Sequence, residues 1–324
     1  MQNLGWLFLA VLIAYGCAAV APLLRHRVRG RVGALVGWCF VPIILACPLL
    51  IPSANVGLRA ASAFLSGEIT FKMVESFRHW AHGARSMVLR DYYRFLIPFP
   101  VLAAVHPDHK RRLRRPESPW PQVLRLFGGI VGITVALQAI RALSGLAPVR
   151  SSFALNHAVM LPTFVLAIES LSRALCGFER LAGFDTTPII RNAYLSRTVS
   201  EFWRRYNDRT HDWFSRNVFQ ATGGRRTPVR SLLLVFLVSG FLHEVAFALA
   251  TSRLTGYQFA FFTIQGPAAL ASGRLERLAR RGGNAGKVTA HGATILFVAV
   301  TSVLFFDGVS KIFPFFYASR SPLP

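Results

Sequence analysis

The chain has few acids and almost no lysine. Fourteen Asp and Glu stand against 37 Lys and Arg, giving a net charge of +23 at neutral pH, and only Lys72, Lys110, Lys287 and Lys311 are lysines. Cysteine is equally scarce. Cys17, Cys39, Cys47 and Cys176 lie in or beside apolar stretches without CxxC spacing, which argues against a zinc site and against a disulfide scaffold; no metal site is expected. No internal repeat stands out, so a transporter built from repeated halves is not supported. The first apolar run has no charged segment ahead of it and no small-residue cleavage site after it. It reads as a retained span rather than a removed signal peptide.

Long apolar runs are what the chain has in abundance. Hydrophobic residues make up 53% of the 324 and charged residues 16%, and the charges are segregated between the runs. Runs of about 20 apolar residues are long enough to cross a bilayer as helices. Eight are expected, at roughly 4–24, 32–52, 54–77, 122–144, 152–176, 230–251, 257–273 and 291–307. The third carries Arg59, Glu68, Lys72 and Glu75, and the seventh is short and interrupted by Gly266-Pro267. A further piece at about 92–106, with Pro98 and Pro100, is too short to span and reads as re-entrant or interfacial. The basic residues alternate with these runs, as topology signals do, and no nucleic-acid partner is expected. Placing "RHRVRGR" (25–31) inside puts most of the basic residues on that side and both termini outside. The basic face attracts anionic lipid headgroups and phosphate-bearing substrates.

Two segments carry chemistry. "SEFWRRYNDRTHDWFSRNVF" (200–219) is dense in arginine and aromatic residues and has helical spacing, with Phe202, Tyr206, Trp213 and Phe214 near one face and Ser200 as a possible cap. Such helices often lie at a membrane interface. After it, "LLLVFLVSGFLHEVAFALA" (232–250) is a spanning run broken only by His243 and Glu244. Thirteen residues from Arg230 at about 1.5 Å each put His243 near the bilayer middle. An ionisable residue there is a functional-site candidate, and a neutral imidazole suits a general base. Ser239 and Gly240, one turn earlier, are expected to leave room beside the ring. Neighbours on a helix point about 100° apart, which argues against a direct contact between Glu244 and that ring.

Together, "FWRRYN" (Phe202 to Asn207) and "SGFLHE" (Ser239 to Glu244) resemble the paired motif of the membrane-bound O-acyltransferases. The chain is similar to the wax synthase branch, also through "AFLSGEITFKMV" (63–74) and "FFTIQG" (261–266). Tyr206 stands where related motifs often have Trp. The resemblance implies an all-α polytopic membrane protein, with about eight transmembrane helices plus re-entrant or interfacial helices around an intramembrane reaction chamber, residues 1–324 forming one integral domain. It implies acyl transfer from acyl-CoA, as co-substrate with no bound cofactor, to the hydroxyl of a lipophilic alcohol. His243 would be the general base and Asn207 the second catalytic residue, with Trp203, Arg204, Arg205, Tyr206, Ser239 and Gly240 lining the substrate path. Arg204, Arg205 or Arg209 would meet the CoA phosphates. The implied location is a bacterial cytoplasmic membrane; oligomeric state is not legible. Alternatives are a sugar, polymer or secondary-metabolite acceptor, or a transporter or assembly protein using His243 for proton coupling. "NDRTHD" (207–212) also offers a fragment of the aspartate-rich motif of intramembrane prenyltransferases, whose diphosphate site needs a second acidic cluster that the sequence lacks.

Overall fold

The computed structural model describes residues 2–27, 30–81 and 88–317. Twelve α-helices run through them: α1 (Gln2–Arg27), α2 (Gly30–Ala46), α3 (Val56–Ala81), α4 (Leu89–Leu96), α5 (Pro119–Ser144), α6 (Ala147–Ser151), α7 (Phe153–Leu181), α8 (Val199–Tyr206), α9 (Asp208–Phe214), α10 (Pro228–Thr251), α11 (Tyr257–Arg281) and α12 (Gly283–Ile312). No strand forms among the described residues. Five stretches are long and apolar enough to cross a membrane: Asn3–Arg25, Pro119–Ser144, Phe153–Leu181, Pro228–Thr251 and Gly283–Ile312. Leu35–Leu50 is a shorter apolar helix. The third and seventh expected spans are α3 and α11, with 26 and 25 residues, long enough to cross but more polar. The expected eight therefore comprise five clear spans, one short apolar helix and two polar ones.

The chain packs as two compact units. One holds the described residues up to Lys110 together with Leu242–Thr255; the other holds Arg111–Phe241 and the described residues from Gly256 on. Helix α10 passes from the second to the first between Phe241 and Leu242.

In the first unit, α1 turns an alanine stripe inward. Ala10, Ala14, Ala18 and Ala21 recur at helical spacing and are fully buried. They face Ile44, Cys47, Ile69, Met73 and Phe77, and small side chains of this kind let membrane helices approach closely. Pro22 sits inside α1 and has no N–H to give to the carbonyl four residues back. That carbonyl, on Ala18, accepts instead from the Tyr92 hydroxyl at 2.7 Å, and Ala19 O accepts from Tyr93 at 3.0 Å. The adjacent tyrosines of α4 thus repair the ladder that the proline interrupts. The other end of α4 is closed by two of the four lysines. Lys72 Nζ donates to Leu96 O at 3.3 Å, and Lys110 Nζ to Arg94 O at 3.1 Å and to Ile97 O. Cations suit a helix C-terminus, and a compact ammonium reaches carbonyls that a planar guanidinium fork meets less readily. Lys72 is itself buried and paired with Glu68 at 2.7 Å.

In the second unit, α5 and α7 cross with almost no side chain between them. A Cβ on Gly129 would lie 2.6 Å from Ala174 N, and one on Gly177 would lie 2.7 Å from Gln122 O. Helices α11 and α12 form an antiparallel hairpin around Gly282. An aromatic core of Phe236, Phe261 and Phe262 packs with Val199 and Trp203, joining α8 to these helices.

Candidate functional site

The charge-dense segment is two short helices meeting at an elbow, not one continuous helix. Thr198, rather than Ser200, caps α8: its hydroxyl accepts from Glu201 N–H at 3.1 Å. Ser200 lies inside the first turn, donates to Ala269 O at 2.9 Å and has its N–H on Ser272 Oγ at 3.0 Å. Glu201 accepts from Arg197 N–H at 2.8 Å and pairs with Arg205 at 2.5 Å.

The elbow is Asn207, with φ −152° and ψ 88°. It ends α8 and caps α9, its Oδ1 accepting from Thr210 N–H at 3.0 Å. A backbone N–H needs an oxygen to receive it, so the cap fixes the amide orientation, with Oδ1 toward Thr210 and Nδ2 as the donor side. Asp208, next in the chain, favours the start of α9 and pairs with Arg191 at 2.7 Å. Arg209 points into the protein. Its guanidinium meets Glu179 through two bonds of 3.0 and 2.5 Å, and both residues are buried. Arg209, expected among the phosphate-binding arginines, is thus committed to anchoring α9 on α7. Arg205 is held by Glu201, whereas Arg204 is exposed and makes no ion pair among the described residues.

The aromatic side of α8 is equally ordered. Tyr206 stacks on Phe202 with centroids 5.4 Å apart and meets Trp203 edge-on at 5.6 Å. Burial pushes its hydroxyl up to about 12, so at neutral pH it remains a donor. The Trp203 indole N–H donates to Gln265 Oε1 at 3.2 Å, and Gln265 Nε2 donates to Thr301 Oγ1 at 2.9 Å. Thr301 Oγ1 passes its own proton to Phe297 O at 2.8 Å. Gln265, at 0% exposure, thereby gives the "FFTIQG" motif a physical role: it ties the elbow helix to α11 and α12. The sequence offered a signal for it, a glutamine inside an apolar run.

His243 lies in the unbroken α10, half-buried, 15 residues from the start of the helix at Pro228. Ser239, four residues earlier on the same helix and therefore on the same side, is buried. Gly240 does not open space beside the imidazole. A Cβ there would lie 3.1 Å from Phe259 O and from Phe262 Cβ, so its missing side chain is taken up by the close approach of α11. Glu244 is buried, and its carboxylate accepts from Thr255 N–H at 2.9 Å, in the turn after α10. The elbow residues Trp203 to Asn207, with Ser239 and Gly240, belong to the second unit, and His243 to the first.

A histidine that the sequence reading passed over lies in α7. His157 is buried, with Nδ1 2.5 Å from the Tyr317 hydroxyl and Nε2 2.9 Å from Ala299 O and 3.2 Å from Ser302 Oγ. A carbonyl only accepts, so Nε2 carries the proton and Nδ1 receives the tyrosine O–H. The rings of Phe153 and Tyr317 stack nearly parallel to it, at 13° and 8°.

A comparison with curated proteins finds no match. The model of the membrane-bound O-acyltransferase family matches residues 147–281, from α6 through α11, a stretch that contains both the Asn207 elbow and His243. The match makes this stretch similar to the membrane-bound O-acyltransferases, and the described helices around it include membrane-length apolar ones.

Proposed function

We propose that this chain is an acyl-CoA-dependent O-acyltransferase of the wax synthase type, moving a fatty acyl group to the hydroxyl of a lipophilic alcohol. The observation that carries the reading is the family match over 147–281, which takes in an ordered "FWRRYN" elbow and a histidine midway along a membrane-length helix. A hydroxyl is a weak nucleophile at neutral pH and needs a positioned base. In this reading His243 accepts the alcohol proton as the oxygen attacks the thioester carbonyl carbon. The tetrahedral intermediate collapses with loss of the C–S bond, and the departing CoA thiolate takes the proton back from the imidazolium. A thioester is already activated, so no acyl-enzyme is required.

Asn207 enters through Nδ2, because its oxygen is occupied by the α9 cap. Donation from Nδ2 to the developing oxyanion is the role this reading gives it. Arg204, exposed and unpaired among the described residues, is the best placed of the three arginines for a CoA phosphate. Trp203 and Tyr206 present an aromatic wall, and Arg205 is paired with Glu201 on the same helix. Ser239 is kept as a substrate-path residue, and Gly240 acts through packing. The topology that goes with this reading has eight spans in a bacterial cytoplasmic membrane, a single integral domain, and basic loops on the cytosolic side.

The test is product analysis by mass spectrometry on purified protein in nanodiscs, supplied with short- and long-chain acyl-CoA and a panel of fatty, sterol-like and sugar alcohols. An ester made with a lipophilic alcohol is the expected product. Ester formation confined to sugar alcohols would move the assignment to a different acceptor class. Ligand transport into vesicles without CoA release would replace acyl transfer with a transport role.

A further inference from the structure

The first turns of α3 hold a cation that nothing in the described chain balances. Arg59 is the fourth residue of α3 and is 3% exposed. Among the described residues its one hydrogen bond runs from Nη1 to Ser252 Oγ, in the turn after α10. Its Nε is sealed from solvent without a partner. The buried cations elsewhere are answered by acids: Lys72 by Glu68 and Arg209 by Glu179. Arg59 has no such acid among the described residues.

Its place in the helix makes the imbalance worse. A helix N-terminus carries partial positive charge and orphan N–H groups, and the first turn of α3 contains no acid. Helical side chains lean toward the N-terminus, which brings the guanidinium and those N–H groups to the same end. That end is reachable: Gly57 is exposed, and a Cβ added there meets nothing within 4 Å. It adjoins the α2–α3 connection, at the far end of α2 from the basic segment 25–31. A general excess of arginine on the basic side does not account for it. A buried, unpaired charge is strongly unfavourable unless a counter-charge joins it.

We infer that Arg59 and the N-terminus of α3 form a binding site for a phosphate or carboxylate anion. Ser252 holds Nη1 and Nε is enclosed, which leaves Nη2 as the guanidinium nitrogen that an anion reaches through a charge-assisted hydrogen bond. The first-turn N–H groups add donors to the same charge. The anion is the phosphate of a lipid headgroup or a soluble phosphate or carboxylate.

The experiment uses the full chain, purified and delipidated in a neutral detergent. Native mass spectrometry follows retention of phosphatidylglycerol against phosphatidylcholine, and thermal unfolding follows the response to inorganic phosphate and to acetate. Arg59→Gln is expected to weaken binding of the anion about tenfold or more, the scale of one charge-assisted hydrogen bond. Selective retention of phosphatidylglycerol assigns the site to a lipid; stabilisation by phosphate or acetate alone assigns it to a soluble anion. If wild type binds none of these better than Arg59→Gln, the site does not exist. Arg59→Met, without added anion, is expected to unfold at the same temperature as wild type or higher, because it removes an uncompensated charge. A marked fall would make the guanidinium a structural tie to Ser252 and overturn the inference. These readouts do not depend on acyl transfer.

Discussion

His157 in α7 and His243 in α10 look alike in the sequence, each a lone imidazole in a membrane-length apolar run. Their surroundings differ. His157 is buried beside the near-parallel rings of Phe153 and Tyr317, and both of its nitrogens are engaged by Tyr317, Ala299 and Ser302. Its proton is fixed on Nε2, which suits a structural clamp on the chain's C-terminal segment. His243 is half-buried, and the carboxylate of its chain neighbour Glu244 accepts from the Thr255 amide. Depth in an apolar helix therefore does not by itself mark a working histidine. The ring of His157 is held by Tyr317, Ala299 and Ser302, and the proposed chemistry is assigned to His243 alone.

The predictions test that contrast in descending order of effect. His243→Ala should lower turnover by about 10²- to 10⁴-fold, the range for a general base, with little change in thermal unfolding; substantial residual turnover would remove it as the base. The arginines differ as well: Arg209 is committed to Glu179, whereas Arg204 makes no ion pair among the described residues. Glu179→Ala, which strands Arg209 as a buried charge, should cost about 3–5 kcal/mol of stability, measured by denaturant unfolding in detergent. A mild effect would mean that water reaches the pair. Asn207→Asp keeps an oxygen for the α9 cap and removes the amide donors. Turnover should fall by about 10²-fold, as when an oxyanion donor is lost, at nearly unchanged stability, and wild-type kinetics would take Nδ2 out of the chemistry. The smallest effect is expected at the committed histidine. His157→Leu should cost about 1–3 kcal/mol through the unpaired groups it leaves while turnover per folded molecule stays near wild type. A selective loss of turnover there would erase the distinction between the two rings.

The parts legible in the sequence were those written in local pattern. Apolar runs gave α1, α5, α7, α10 and α12 as membrane-length helices, and the two motifs lie within the stretch that the family model matches. The break at Asn207 was less visible. Periodicity continued across it, and only the cap on Thr210 shows why the chain turns there. Ser200 and Thr198 are both good caps by type; the contacts of Ser200 with Ala269 and Ser272 in α11 decide against it. Long-range pairs were out of reach. Arg209 finds Glu179 across 30 residues and Tyr92 finds Ala18 across 74, although Pro22 had already announced an unmet carbonyl at Ala18. Gly240 was read as space when it is an approach distance, because one chain position does not say which helix crosses it. The third run looked weak as a span because it carries Arg59, Glu68, Lys72 and Glu75. Lys72 is instead buried and paired, and α3 carries it as internal structure.

The most direct test of the central claim is the initial rate of CoA release and ester formation by wild type, His243→Ala and His157→Leu, each normalised to folded protein. The account predicts activity in wild type and His157→Leu and its collapse in His243→Ala alone. Equal activity in wild type and His243→Ala would contradict it.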